Sequence, residues 1–226
     1  MPLQVLDLNV FVPEQAVLSQ YAFLGGGSTI LDLLLLKHLA MTRQPCTYFE
    51  IGTYRGESLL AVLPHVEHAH SLDLDDQHMN QLRFSPEMQS QMQVLLKNKE
   101  NIDFIKGDSR KVDFQSLNAK CDLIFIDGNH TFEYVKHDTE SVLNHLAQES
   151  TIIVWHDYAI DPEQVRWEVL TGIRAGLPQH LHQYLYHIEN TKCAVLIKDD
   201  NLVGKPAQFP QRVTKTWEVT IRRNKS

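Results

Sequence analysis

Residues suited to ligand binding follow five apolar segments of the sequence, each at the point where the segment ends. They are Gly52, Asp73, Asp108, Asp127 and the pair His156–Asp157. Carboxylates accept hydrogen bonds, and imidazole exchanges protons near neutral pH. In a parallel sheet the carboxyl ends of the strands meet at one edge, where ligands bind. The pattern therefore predicts a polar pocket to which all five ends contribute.

The run Tyr48–Ser58 has the composition of a strand, a tight glycine turn and the start of a helix. Its apolar part stops at Gly52, and Gly56 follows four residues later. Glycine tolerates positive φ and leaves room for a ligand close to the backbone. The free N–H groups at the start of a helix favour polar or anionic ligands. We expect this turn to hold a cofactor, with Gly52 leaving space for it.

The neighbouring carboxylates narrow the identity of that cofactor. Asp73 lies 23 residues after Glu50, a spacing typical of a carboxylate that binds a ribose diol. Glu50 could accept hydrogen bonds from a cationic amine, and Asp108 with Ser109 could bind a heterocycle. A dinucleotide site requires Gly-x-Gly-x-x-Gly, which is absent here, and Glu50 would repel a pyrophosphate. S-adenosylmethionine, with a ribose, an adenine and a cationic amino-acid tail, fits better.

Composition excludes several classes of partner. The chain has 226 residues, 43% of them apolar, a net charge of -7 and a pI near 5.9, so a nucleic-acid partner is disfavoured. The longest apolar run, Leu33–Leu36, is far too short to span a bilayer, and no secretory leader opens the sequence. The three cysteines lie far apart in apolar runs, which is typical of buried reduced thiols. We expect a cytoplasmic protein without a membrane partner.

Apolar segments with strand character alternate with helical patterns. Strands are predicted at Thr47–Ile51, His70–Leu74, Asn101–Ile105, Cys121–Ile126 and Thr151–Trp155. Helices are predicted over about 30–41, 58–66, 87–97, 132–146 and 162–175. A hairpin over 183–188 and 193–198 follows, and Lys215–Arg222 could add a strand. This order predicts a doubly wound, Rossmann-like α/β fold. We expect a mostly parallel seven-stranded sheet with helices on both faces and an antiparallel C-terminal hairpin.

One domain accounts for residues 1–226. We expect an N-terminal helical arm over 1–45, a cofactor-binding core over 46–198 and a C-terminal extension over 199–226. The glycines of Gly25–Gly27 lack the Lys-Ser/Thr pair of a phosphate-binding loop, so they predict a flexible joint. Whether residues 1–24 form a lid or a partner-binding arm is left open, as is a homodimer.

The run Glu50–Ser58, followed by Asp73 and Gly107–Ser109, resembles the class I S-adenosylmethionine-dependent methyltransferases. Phe125–Tyr134 and Val154–Tyr158 look like one branch of that family. The branch includes many small-molecule O-methyltransferases and is similar in topology to catechol O-methyltransferase.

This resemblance covers about residues 46–198 and implies a role for most of the residues singled out above. It places five residues around the methionine tail: Glu50, Gly52, Tyr54, Gly56 and Ser58. It further implies that Asp73 binds the ribose and that Asp108 and Ser109 lie near the adenine.

The same resemblance places Asp127 beside the cofactor, where metal-dependent members have a metal carboxylate. His156 and Asp157 fall at the remaining metal-ligand positions, and His130 falls near the catalytic lysine. The chain differs from the family pattern in having His at 130 instead of Lys and His at 156 instead of a carboxylate. Glu149–Ser150 stands where the pattern has Gly-Gly.

Two routes for deprotonating an acceptor follow, and both are left open. His130 could act as a general base. A divalent metal, Mg or Mn, held by Asp127, His156 and Asp157 could instead lower the acceptor's pKa.

Three functions remain on the sequence alone. The leading one is a methyltransferase that O-methylates a small hydroxylated molecule, such as a sugar or secondary metabolite. The alternatives are an NAD-type dinucleotide-dependent oxidoreductase, which the glycine spacing and Glu50 disfavour, and a non-catalytic S-adenosylmethionine-binding protein.

Overall fold

The computed structural model describes residues 1–208, 213 and 215–223. In chain order, the strands β1 to β10 of that part are Gln4–Leu6, Thr47–Ile51, His68–Asp73, Ile102–Lys106, Cys121–Ile126, Ala147–Trp155, Ala159–Asp161, Gln164–Val165, Leu185–Ile188 and Ala194–Leu196. The helices α1 to α6 are Ile30–Met41, Glu57–Val62, Asp76–Gln81, Pro86–Ser90, Phe132–His145 and Trp167–Gly176. None of the helices in this part of the chain is long and apolar enough to cross a bilayer.

Eight strands form one sheet in the order β1-β9-β10-β6-β5-β2-β3-β4. All pairings are parallel except those of β10, which runs antiparallel to both β6 and β9. The chain runs outward from β2 to β3 and β4, and outward on the other side from β5 to β6. The doubly wound, Rossmann-like prediction with an antiparallel hairpin is therefore confirmed. Gln4–Leu6, placed by the sequence in a helical arm, adds an eighth strand beside β9.

The two faces of the sheet carry separate apolar clusters because successive side chains of a strand point to opposite faces. In β5, Leu123 and Phe125 pack in the cluster that contains residues of α1 and α2. Ile124 and Ile126 pack in the cluster that contains residues of α5 and α6. Burial on both faces explains why this strand is an almost continuous apolar run.

The segment 87–97 does not form the single helix that its apolar spacing predicts. Helix α4 ends at Ser90, Gln93 takes a left-handed φ of 55° and Val94–Leu96 form a 3₁₀ turn. The backbone N–H groups of Gln93 and Leu95 donate to the carbonyls of Tyr54 and Arg55. Hydrogen bonds to the turn after β2 thus replace those of a continuous helix.

Three other expectations differ from the structure. The helix expected to reach Val66 ends at Val62, and a 3₁₀ turn that contains Pro64 follows it. Helix α6 begins at Trp167, since the residues before it form the small β7–β8 hairpin. The strand predicted over Lys215–Arg222 does not form. These residues are described but form no strand, and Lys205 makes an isolated bridge to Val5 instead.

The close approach of β2 and β5 depends on a glycine. Gly52 follows β2 with φ +88°, and its N–H donates to the Leu72 carbonyl at 2.9 Å. A Cβ at this position would overlap the backbone carbonyl of Asp127 at the end of β5. The sequence suggested that Gly52 leaves space for a ligand. In the structure, the atoms nearest to a Cβ at position 52 belong to Asp127, at the end of the neighbouring strand β5.

We therefore predict that Gly52→Ala lowers the free energy of unfolding by about 2 kcal/mol or more, because backbone strain adds to overpacking. Urea unfolding monitored by circular dichroism measures the change. Gly25→Ala is the matched control, since a Cβ there meets nothing within 4 Å. Equal stability of the two variants would show that Gly52 is needed only by the ligand.

Candidate active site

An open cavity of about 800 Å³ lies over the carboxyl ends of the central strands. Most of the residues singled out from the sequence line it: Gly52, Tyr54, Ser58, Asp73, Asp108, Ser109, Asp127, His130, His156 and Asp157. Glu50 and Gly56 do not. The cavity spans the switch point between β2 and β5, where doubly wound sheets bind their ligands.

Glu50 is fully buried behind the cavity wall. It follows the alternation of β2, so it shares a side of the sheet with Tyr48, whose hydroxyl donates to Glu50 Oε2 at 2.8 Å. Burial raises the pKa of Glu50 to about 7, although hydrogen bonds to Thr53, Tyr48 and Ser58 oppose the rise. Its Oε1 has no hydrogen-bond partner, so the contact with a cationic amine that the sequence suggested stays a prediction.

Gly56 serves the packing of the turn and does not face the cavity. It is the N-cap of α2 with φ +95°, and a Cβ there would overlap the side chain of Leu96. Leu96 belongs to the 3₁₀ turn that is hydrogen-bonded to the same segment. A glycine is therefore required so that the two turns can touch.

Asp73 forms the wall of the cavity at the end of β3. Its Oδ2 accepts from the Tyr54 N–H at 3.0 Å, and its Oδ1 accepts from the Leu74 N–H at 2.9 Å. Burial raises the pKa of Asp73, while the Leu74 N–H and nearby Lys106 oppose that shift. A carboxylate has about four acceptor sites, so two backbone donors orient this one and leave it able to bind a diol.

Asp108 makes a turn contact and also lines the cavity. Its Oδ1 accepts from the Arg110 N–H at 3.0 Å, which is a turn contact, and its Oδ2 accepts from the Tyr134 hydroxyl at 3.2 Å. The Arg110 guanidinium lies over the Tyr134 ring at 4.0 Å. Asp108, Ser109 and Tyr134 all line the cavity, so a planar heterocycle would meet polar and aromatic partners here.

A His–Asp cluster, which consists of Asp32, Asp127, His130, His156 and Asp157, forms another part of the cavity wall; four of its residues line the cavity, and Asp32 is buried behind them. His156 Nδ1 lies 3.0 Å from Asp127 Oδ1 and 3.3 Å from Asp157 Oδ2. His156 Nε2 lies 3.2 Å from Asp32 Oδ2. His130 Nε2 contacts Asp157 Oδ2 at 2.8 Å. One buried imidazole thus touches three carboxylates, and a more exposed imidazole touches one of them.

Sequence reasoning missed Asp32. This fully buried carboxylate lies in the first turn of α1 and forms a capping box with Thr29. Its Oδ1 also accepts from the Lys192 backbone N–H at 2.9 Å. The pattern Thr29-x-x-Asp32 indicates a helix start, but nothing in it points to His156, which is 124 positions away.

Charge pairing sets the protonation of the cluster. Burial disfavours the charged form of His156, but Asp127, Asp157 and Asp32 outweigh burial and raise its pKa well above the usual range. Burial likewise opposes ionisation of Asp157, yet contacts with His130 and His156 hold its pKa well below the usual range. These contacts favour the imidazolium form of His156.

The cluster also has the donors of a metal site. Ligand atoms of Asp127, His156 and Asp157 all lie within 4.8 Å of one another. The contact between His156 Nε2 and Asp32 matches the carboxylate support that orients metal-binding histidines. A divalent cation would have to replace the proton on Nδ1. One nitrogen and two carboxylate oxygens suit Mn²⁺ or a related transition metal. Asp127, His156 and Asp157 are therefore suitable ligands for such an ion.

The glycine-rich segment before α1 is tied to the mouth of the cavity. A buried ion pair joins Arg55 to Glu57 at 3.1 Å. Arg55 donates to the Gly25 carbonyl at 3.1 Å, and Glu57 accepts from the Ala22 N–H at 3.2 Å. Residues 26–28 then line the cavity. The glycines of this segment predict a flexible joint. These contacts instead anchor the segment to the turn after β2.

Comparisons with known proteins agree with this geometry. Residues 49–158 match the family model of a methyltransferase domain. The chain resembles the S-adenosylhomocysteine-bound methyltransferase PaMTH1 of Podospora anserina at 20% identity, with a TM-score of 0.51, over 76% of this chain and 80% of that one. It also resembles a Klebsiella pneumoniae protein assigned as an O-methyltransferase at 17% identity, with a TM-score of 0.52, over 76% and 82% of the two chains. No curated protein matches the chain.

The two structural likenesses show a shared fold. The family match spans the strands that build the cavity, from β2 to the residues just after β6. It includes the turn at Gly52 and every residue of the His–Asp cluster except Asp32. Residues 49–158 are therefore similar to a methyltransferase domain, within a fold that the chain shares with solved methyltransferases.

Proposed function

We propose that this methyltransferase transfers the methyl group of S-adenosylmethionine to an oxygen of a small hydroxylated molecule. The observation that carries the proposal is the composition of the one cavity at the switch point. Asp73 and Asp108 line one part of it, and His130 and Asp157 line another. Groups able to bind a nucleoside and groups able to take a hydroxyl proton thus face the same space.

The part of the cavity lined by Asp73 and Asp108 would bind the nucleoside of the cofactor and its amino-acid tail. Asp73 would accept hydrogen bonds from the ribose hydroxyls. Asp108, Ser109 and Tyr134 would bind the adenine, while Tyr54 and Ser58 would contact the methionine part. Glu50 is buried behind the wall with its Oε1 unpartnered, and it would accept a hydrogen bond from the amine of the methionine part once the cofactor is bound.

Methyl transfer itself is a direct displacement, because the sulfonium already activates the methyl group. The protein must align the acceptor oxygen with that methyl and remove the oxygen's proton. His130 Nε2 is engaged by Asp157 at 2.8 Å, so Nδ1 is the nitrogen left to accept the proton. Asp157 would orient the ring and stabilise the imidazolium that forms, as a carboxylate does beside a general base.

Asp127, His156 and Asp157 would hold a divalent metal, with Asp32 orienting His156. When bound, such an ion supplies positive charge that lowers the pKa of a coordinated hydroxyl. Residues Arg166 and Lys192 also line the cavity and lie 3.8 and 3.9 Å from Asp157 Oδ1. Their charges limit the negative potential of this end of the cavity.

Incubation with methyl-labelled S-adenosylmethionine and a panel of sugars, phenols, carboxylic acids and amines tests the proposal. We expect label in hydroxylated acceptors. Transfer only to nitrogen or carbon acceptors would overturn the O-methylation proposal. Cofactor binding without transfer to any acceptor would favour a non-catalytic binding protein.

We predict that Asp73→Ala weakens S-adenosylmethionine binding by about 1–3 kcal/mol, because a buried charged hydrogen-bond acceptor is lost. Isothermal calorimetry measures the affinity, and Asp76→Ala, an exposed nearby carboxylate, is the control. NAD should give no heat with either variant or with the wild type. Tight NAD binding without a response to S-adenosylmethionine would contradict the cofactor assignment.

A second prediction concerns the base. His130→Ala should lower turnover by about 10²–10⁴-fold, the usual contribution of a positioned base, and leave cofactor affinity nearly unchanged. Single-turnover rates and calorimetry separate the two effects, with the exposed His180→Ala as control. Full activity of His130→Ala, combined with loss of activity on chelation, would assign deprotonation to the metal instead.

A third prediction tests the metal through protons. The raised pKa of His156 favours its charged form, whereas a metal needs its neutral form. Binding of Mn²⁺ should therefore release about one proton, and affinity should rise about tenfold per pH unit until the pH passes the folded-state pKa of His156. Calorimetry in two buffers of different ionisation enthalpy counts the proton, and His156→Gln should abolish the effect. Binding without proton release would contradict the assignment of His156 as a ligand.

A further inference from the structure

A second group of potential metal ligands lies away from the cavity, on the edge of the sheet. His68 and His70 belong to β3, and Asp103 belongs to β4. We call these three residues the edge cluster. Asp103 Oδ2 lies 2.8 Å from His68 Nε2 and 3.3 Å from His70 Nδ1. One carboxylate oxygen thus contacts both imidazoles, and no residue of this cluster lines the cavity.

Backbone pairing holds these side chains together. His68 and His70 are two residues apart in a strand, so they point to the same face. His70 is the cross-strand partner of Asp103 in the parallel pair β3–β4. His70 is largely covered and has Phe49 beside it, with ring centroids 6.5 Å apart. The convergence is therefore a consequence of strand register.

We propose that the edge cluster binds a divalent transition metal of the zinc type. It offers two imidazole nitrogens and one carboxylate oxygen. Zinc-type ions prefer such ligand sets, whereas Mg²⁺ prefers sites in which all ligand atoms are oxygens. All three ligand atoms lie within 4.8 Å of one another. Zinc bonds of about 2.0–2.2 Å require donors roughly 3.4 Å apart, so small side-chain rotations complete the site, with water as a fourth ligand.

The side chains are open to solvent to different degrees, which allows an ion to enter. The exposed fractions are 61% for Asp103, 38% for His68 and 13% for His70. The most covered ligand is packed in place, and the two outer ligands can adjust around an entering ion. The site needs no part of the methyl-transfer machinery and stands independently of the proposed function.

The metal would anchor an exposed edge strand. β4 is the last strand of the sheet, and none of its five residues is fully buried. Phe104 on this strand is 41% exposed. A strand with little buried surface frays easily and leaves an open edge. An ion bound by two residues of β3 and one of β4 would tie the edge strand to its neighbour.

Zinc titration of the tag-free, chelator-treated chain tests the proposal by isothermal calorimetry. The wild type should bind one more zinc ion than the double variant His68→Ala/His70→Ala. Asp157→Asn, altered in the His–Asp cluster, should keep the edge-cluster zinc. The control His145→Ala/His180→Ala removes two exposed imidazoles elsewhere and should match the wild type.

Hydrogen exchange gives a second readout. Zinc should slow exchange of the β4 amides in the wild type and leave them unchanged in His68→Ala/His70→Ala. Should the double variant fail to fold, the surface substitution Asp103→Asn is used and should weaken this zinc site at least about tenfold. Equal zinc stoichiometry and affinity in the wild type and these variants would overturn the proposal, as would Mg²⁺ binding as tightly as Zn²⁺.

Discussion

The site depends on the contacts that the buried imidazole of His156 makes. It joins the first turn of α1, the end of β5 and the loop after β6, because Asp32, Asp127 and Asp157 all face it. Buried charges are tolerated only when they are paired. Loss of the imidazole would leave three neighbouring carboxylates without its positive charge. The contacts of His156 therefore link three elements and balance the charge of this part of the cavity wall.

A second constraint brings the two halves of the cavity together. Gly52 at the end of β2 lies against the backbone of Asp127 at the end of β5, at the point where the chain winds in opposite directions. The cofactor turn and the His–Asp cluster are consequently neighbours. On the proposed function, a methyl donor held by the turn would lie beside groups that could take a proton from the acceptor.

Two segments that are distant in sequence hold the turn between β2 and α2 from both sides. Arg55 and Glu57 tie it to residues 22–25, whereas the carbonyls of Tyr54 and Arg55 accept hydrogen bonds from residues 93 and 95. Tyr54 itself has a left-handed φ of 45°. A backbone in a sparsely populated conformation persists when its surroundings over-determine it. These contacts supply such surroundings and explain why residues 87–97 forgo a continuous helix.

Local pattern by itself determined much of this protein. The sheet and most of the cavity lining are predicted by the apolar runs, the turn at Gly52 and the polar residues at strand ends. These features can be read locally because a strand shows itself in its own residues, and ligands bind where parallel strands end. Tertiary structure alone decided that Asp32 supports His156, that Glu50 lies behind the wall and that Asp103 meets two histidines. Those facts depend on strand order, register and helix docking, which bring together residues whose sequence spacing carries no signal of contact.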